Sequence, residues 1–172
     1  MAIRLLGLDP GLRATGWGII DADGNLLSAV ANGTVRANDK APLAERLHFI
    51  FSELGKIILE HGPHECAIEE TFVNKNPAST LKLGHARAAA MLSAAEAGLL
   101  VFEYTPNAVK KAVVGAGHAD KKQVEAMVCM LLPGHTAHSA DAADALGVAI
   151  CHAHHRVSSD RLKKAIAGGM NR

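Results

Sequence analysis

Apolar residues run almost unbroken over 3–9, and the stretches 14–20 (ATGWGII) and 26–36 carry the β-rich pattern of further strands. DADGN (21–25) supplies an Asp-Gly turn between the second and third, so the first three strands form an antiparallel meander. From Pro42 to His61 the period changes: Leu43, Leu47, Ile50, Phe51, Leu54, Ile57 and Ile58 recur at three- and four-residue steps. That is an amphipathic helix of about five turns, stopped by Gly62-Pro63. ECAIEE (65–70) predicts a fourth strand, followed by the polar loop TFVNKNPAS and a small-residue helix over 78–97. VFEYT (101–105) is a fifth strand, and Thr105-Pro106 caps and opens a short helix to Val114. After the loop GAGHAD, helices follow at 121–132 and, capped by Ser139, from there to about His155.

Three antiparallel strands followed by alternating helix and strand predict an α/β domain, a five-stranded mixed sheet with helices on both faces. A right-handed crossover after the third strand lays the fourth parallel to the first, which brings the ends of LLGLD and CAIE to one edge. One domain spans 1–155, and 156–172, with five basic residues and two adjacent glycines, is expected to be a flexible tail.

At 172 residues, 49% hydrophobic and 20% charged, the chain suits one folded domain. No apolar run approaches the ~20 residues of a membrane span. The first strand starts at once and holds Arg4 and Asp9, which argues against a signal peptide. Cys66, Cys129 and Cys151 are odd in number and have no metal-type spacing, which points to a reducing, cytoplasmic setting. A net charge of +1 makes no case for nucleic acid from the whole chain; local clusters must carry it.

The chemistry lies in acids at element ends. Asp9 closes the first strand and Glu69 the fourth, and neighbouring strands are about 4.8 Å apart. Asp141 and Asp144, in SADAADAL, share one side of the last helix. Taken singly, Asp9 serves a turn with Pro10-Gly11, Asp141 suits a helix N-terminus, and Glu69 with Glu70 makes a solvated strand end. Asp144 is harder to excuse beside Leu146 and Val148. Together, four converging anions oppose folding unless a cation joins them. Mg²⁺ takes hard carboxylate and phosphate oxygens, and two such ions about 4 Å apart suit phosphodiester hydrolysis.

GLDPGLRATGWGII, AIEETF, KNPASTLKLGHARA, VVGAG with KKQV, and SADAADALGVAI resemble, in order and spacing, the RuvC Holliday junction resolvases over about residues 1–155. The resemblance implies an RNase H-like fold, a homodimer and Mg²⁺-dependent cutting of four-way DNA junctions, with one or two ions per site and Mn²⁺ as a substitute. It puts Asp9, Glu69, Asp141 and Asp144 on the family's catalytic, metal-binding carboxylates. It also implies RuvA–RuvB branch-migration partners.

For DNA, Lys110 and Lys121 match the family's phosphate-facing lysines best, while Lys111 and Lys122 serve equally as solvated surface. Phe72 stands in a polar loop, where it stacks on an opened base, as the resemblance implies, or packs beneath its own loop. Lys75 and Asn76 are weaker contact candidates. His152, His154 and His155 suit a helix C-terminus rather than a zinc site, and VVGAG lacks the Lys-Ser/Thr of a P-loop. The competing functions are an actin- or sugar-kinase-like phosphotransferase, which needs a second lobe, and a catalytically silent junction-binding module, which would lack a carboxylate. The small-residue helix either makes the dimer contact, with Ala89 on its exposed face, or packs its alanines tightly on the sheet.

Overall fold

The computed structural model describes residues 2–70, 76–117, 119–134 and 137–169, with side chains as far as Ser158. Its strands are β1 (Ile3–Asp9), β2 (Ala14–Asp23), β3 (Leu26–Arg36), β4 (Glu65–Glu69) and β5 (Leu100–Tyr104). The helices are α1 (Leu43–His61), α2 (Pro77–Glu96), α3 (Pro106–Val114), α4 (Lys121–Leu131) and α5 (Ala140–Gly169). The sheet order is β3-β2-β1-β4-β5, antiparallel among the first three and parallel from β1 through β4 to β5. This is the expected mixed sheet. Gly24 takes φ 62 at the β2–β3 hairpin, a backbone conformation that glycine adopts without a Cβ clash.

Alternation along the strands sorts the core into two layers. Leu6, Leu8, Ile19, Cys66 and Ile68 pack under α1 and α2, together with Ile50, Leu54 and the alanines of α2. Leu5, Ile20, Ala22 and Ala67 pack on the other face against α3, α4 and α5. Because residues two apart share a face, Asp9 continues the row of Leu5 and Gly7, and Glu69 the row of Ala67. Both acids therefore project on the α5 side.

Two expectations are corrected here. The pattern ends the last helix near His155, yet α5 runs on to Gly169, since no glycine or proline follows His155 before Gly168. Ala89 is not on an exposed face: it is 7% exposed, within the layer under α2. Leu81 (64% exposed) and Leu92 (62%) mark the outward side of that helix instead.

The histidine cluster has a structural task. His152 is fully buried, and its Nε2 lies 2.8 Å from Glu65 Oε2 while its Nδ1 lies 2.8 Å from the Tyr104 hydroxyl. Burial lowers the His152 pKa against the pull of Glu65, so the ring is neutral. With Glu65 Oε2 accepting from Nε2–H, the Tyr104 hydroxyl is left to donate to Nδ1. Arg156 pairs with the other Glu65 oxygen, fastening α5 to the first residue of β4. All three cysteines are free thiols. Among the described residues no helix is long and apolar enough to cross a membrane.

Candidate active site

An acid at the tip of a core strand needs its following turn held still. Thr15, fully buried on β2, donates its hydroxyl to the Gly11 carbonyl at 2.8 Å and accepts from the Gly11 N–H at 3.3 Å. A methyl built on Gly11 would overlap the Ala14 carbonyl, so this tight closure requires glycine. DPGLRAT is thus a pinned turn that presents Asp9.

Leu8 pairs with Ile68, so Asp9 and Glu69 stand one position further along adjacent parallel strands. The end of β4 is held from α2: Arg87 Nε donates to the Glu69 carbonyl at 3.3 Å, and the same guanidinium pairs with Glu103.

Asp141 and Asp144 reach this corner because α5 sinks onto glycine. Gly7 and Gly18 face each other across β1 and β2, and Gly16 is the partner of Asp9. A methyl on Gly16 would overlap the Asp141 carbonyl, one on Gly7 the Ala145 carbonyl, and one on Gly18 the Leu146 side chain. Helix backbone therefore rests on sheet backbone, and Asp141 lies directly over the neighbour of Asp9. The start of α5 is tied down as well. The Ser139 hydroxyl accepts from Ala142 N–H at 3.0 Å and shares a 2.6 Å hydrogen bond with Thr34, while His138 N–H donates to Asn32 Oδ1 at 2.9 Å.

The four acids feel one another. Burial pushes Asp9 up to about 7, with further repulsion from Glu69, Asp144 and Asp141. Glu69 also rises to about 7, through burial and then Asp144. Lys110 and Lys121 oppose the rise at Glu69, which places both ammonium groups within electrostatic reach of the site. Lys121 Nζ bonds Asp144 Oδ2 at 2.7 Å, and Arg36 lies 3.7 Å from Asp141 Oδ2. Among the described residues no three His, Cys, Asp or Glu side chains close around a single point. The donor set itself, four carboxylates offering hard oxygens, fits a divalent cation, which would also relieve the repulsion that raises Asp9 and Glu69.

A family model described as crossover junction endodeoxyribonuclease RuvC matches residues 5–152. The chain belongs to the RuvC family. It is 60% identical over 161 residues to the RuvC of Rhodopseudomonas palustris (strain TIE-1), covering 94% of this chain and 92% of that one. It is 58% identical over 167 residues to the RuvC of Mesorhizobium japonicum, covering 97% and 98%. Among solved structures, Thermus thermophilus RuvC in complex with a Holliday junction substrate superposes at a TM-score of 0.85 with 30% identity, covering 91% of this chain and 96% of that one. The yeast mitochondrial Holliday junction resolvase shares the fold, at a TM-score of 0.65 and 10% identity over 92% and 83% of the two chains. The RNase H-like fold is therefore that of RuvC, and its endonuclease class displaces the phosphotransferase alternative.

Of the RuvC-type site residues expected from sequence, Asp9, Glu69, Asp141, Asp144, Lys110 and Lys121 come together at this corner. Phe72 and Lys75 lie outside the described residues. Asn76 is the N-cap of α2, its side-chain oxygen accepting from Ala78 N–H at 3.0 Å and Ser79 N–H at 3.3 Å. Its position before Pro77 signals that cap. Arg36, Arg87 and Gly16 escape sequence reading. Only the alternate glycines of TGWG hint that something approaches β2 closely.

Proposed function

We propose that this chain resolves four-way DNA junctions by paired, symmetric phosphodiester hydrolysis in the cytoplasm, during recombination and repair. The observation that carries the reading is the meeting of four buried or half-buried acids with two lysines at one sheet corner, in a chain matched to the RuvC family over 5–152. The solved relative's junction substrate supports the choice of DNA.

In this reading Asp9, Glu69, Asp141 and Asp144 hold Mg²⁺, one or two ions, with Mn²⁺ as a substitute. When bound, the cation supplies charge neutralisation at the scissile phosphate and an activated water. The protein's own groups do the rest. Asp9 and Glu69, on neighbouring strands, would hold the cation from the sheet side, and the α5 acids from the helix side. Lys121 is placed to exchange Asp144 for a phosphate oxygen, and Lys110 adds positive potential where anionic charge builds up in the transition state. Phe72, Lys75 and Asn76 are assigned to the DNA surface at the segment joining β4 to α2.

A junction has strands related by two-fold symmetry, so two ligatable products require cuts on opposite strands. A C₂ homodimer with two sites satisfies this, with RuvA–RuvB as the branch-migration partner. The outward stripe of Leu81, Gly84, Ala88 and Leu92 on α2 is the proposed contact. The silent-module alternative would lack an acid, and all four are present.

The test is nicking of a synthetic four-way junction with and without Mg²⁺, against linear duplex. Mg²⁺-dependent symmetric nicks confined to the junction are expected. Equal cutting of duplex, or none by a correctly folded protein, would overturn the reading.

A further inference from the structure

We propose a second phosphate-binding site for substrate DNA in the recess behind the β1–β2 turn, separate from the acid cluster and built by Arg13, Arg46 and Lys82. This assignment rests on the proposed reading that the substrate is junction DNA.

The recess has a volume of about 470 Å³. Its walls come from the turn (Gly11 to Ala14), from Arg46 on α1, and from Ser79 and Lys82 on α2. Three cationic side chains line it against one acid, Asp39, which stands 3.9 Å from the Arg13 guanidinium. Arg13 remains 83% exposed, too loosely paired for Asp39 to satisfy its donors.

Arg46 gives the recess its chemistry. One Nη donates to the Leu12 carbonyl at 3.0 Å, which fixes the guanidinium beneath the turn. Its Nε is shielded from solvent and has no hydrogen-bond partner. A shielded guanidinium donor without an acceptor is costly, and Arg46 also lines the recess, where an anionic oxygen could pair with the accessible part of its guanidinium. The α2 N-terminus does not supply the attraction, since Asn76 already occupies the Ala78 and Ser79 amides.

The ligand is a phosphodiester of the DNA strand rather than an isolated ion. The same turn presents Asp9 on one side and forms the recess wall on the other. A strand crossing the sheet corner would meet Lys110, Lys121 and Arg36 around the acids and this second cationic group beyond the turn. Such a spread of cations suits a polyanion with several regularly spaced charges.

The test uses the full chain carrying Arg13→Gln together with Lys82→Gln, two exposed positions outside the acid cluster, and separately Arg46→Lys, with melting curves to confirm folding. For the double variant, junction affinity should fall about 5- to 20-fold, and the slope of log K against log salt should shrink by roughly 0.9 for each phosphate no longer neutralised. The single-turnover nicking rate at saturating protein should stay unchanged. Ethylation interference should disappear at a phosphate away from the scissile one. Unchanged affinity and slope in both variants would overturn the proposal. Inorganic phosphate raising the melting temperature of the wild type but not of the double variant, with DNA affinity unchanged, would make this a free-anion site and overturn the DNA assignment. A wild-type protein that fails to prefer junctions over duplex would instead refute the underlying reading, a result visible before any variant is made.

Discussion

Asp9 is an acid whose charge the fold opposes, and that has a measurable consequence. With its pKa raised from 3.8 to about 7, and that of Glu69 from 4.5 to about 7, the metal-free folded state holds more protons than the unfolded chain between these limits. Stability contributed by these groups therefore falls as pH rises from about 4 to about 7, and the deficit is complete above that. Asp9→Asn removes part of the repulsion. Without metal, its melting temperature should match the wild type near pH 4.5 and exceed it by about 2–6 °C near pH 8. A divalent cation should close the gap while cutting stays lost by about 10³-fold or more and junction binding persists. Differential scanning calorimetry across pH checks the first part, and a gap that narrows with rising pH would contradict it. At this scale the acids are legible from sequence because strand ends and helix spacing put them on matching faces, while Lys121 is set apart from Lys122 only by the family resemblance. Arg36 is not, because one arginine at a strand end carries no sign of a partner on a distant helix. Arg87 is hidden for a different reason: its target is a backbone carbonyl, which has no sequence identity.

Elements follow the hydrophobic period closely: α1 buries one face of its helix, while the near-continuous apolar runs of β1 and β4 are buried on both faces of the sheet. The differences arise where burial depends on a neighbour. The alanines of α2 look alike in sequence, yet Ala86, Ala89, Ala90 and Ala94 pack inward while Leu81 and Leu92 point out. If α2 makes the proposed dimer contact, Leu92→Glu should leave the fold intact and convert that dimer to monomers in sedimentation, with nicking reduced about tenfold or more and paired cuts abolished. A dimer unaffected by this change would move the interface elsewhere. Helix α5 shows the opposite case, an element positioned by what the sheet lacks. Gly16→Ala should raise its N-terminal end, cost about 1–3 kcal/mol, and lower the single-turnover cutting rate about 10²-fold. Calorimetry and junction cleavage together check this. A full-rate Gly16→Ala enzyme would show that the acids do not depend on this close approach.

Across the whole molecule, the strand order is readable because a right-handed crossover leaves β4 a place beside β1. What sequence does not reveal is how the two halves of the site are registered: Asp9 and Glu69 belong to the sheet, Asp141 and Asp144 to a helix laid across it. No layer of side chains separates the two at Gly7 and Gly16, so there is no soft packing that can loosen while the rest of the domain holds. Many enzymes lose activity on warming before they unfold, because the site occupies a weaker region. Here thermal inactivation of cutting and cooperative melting of the fold should coincide within about 3 °C, since α5 leaves the sheet only when the core itself opens. Heat should therefore leave this protein no folded but inactive stage.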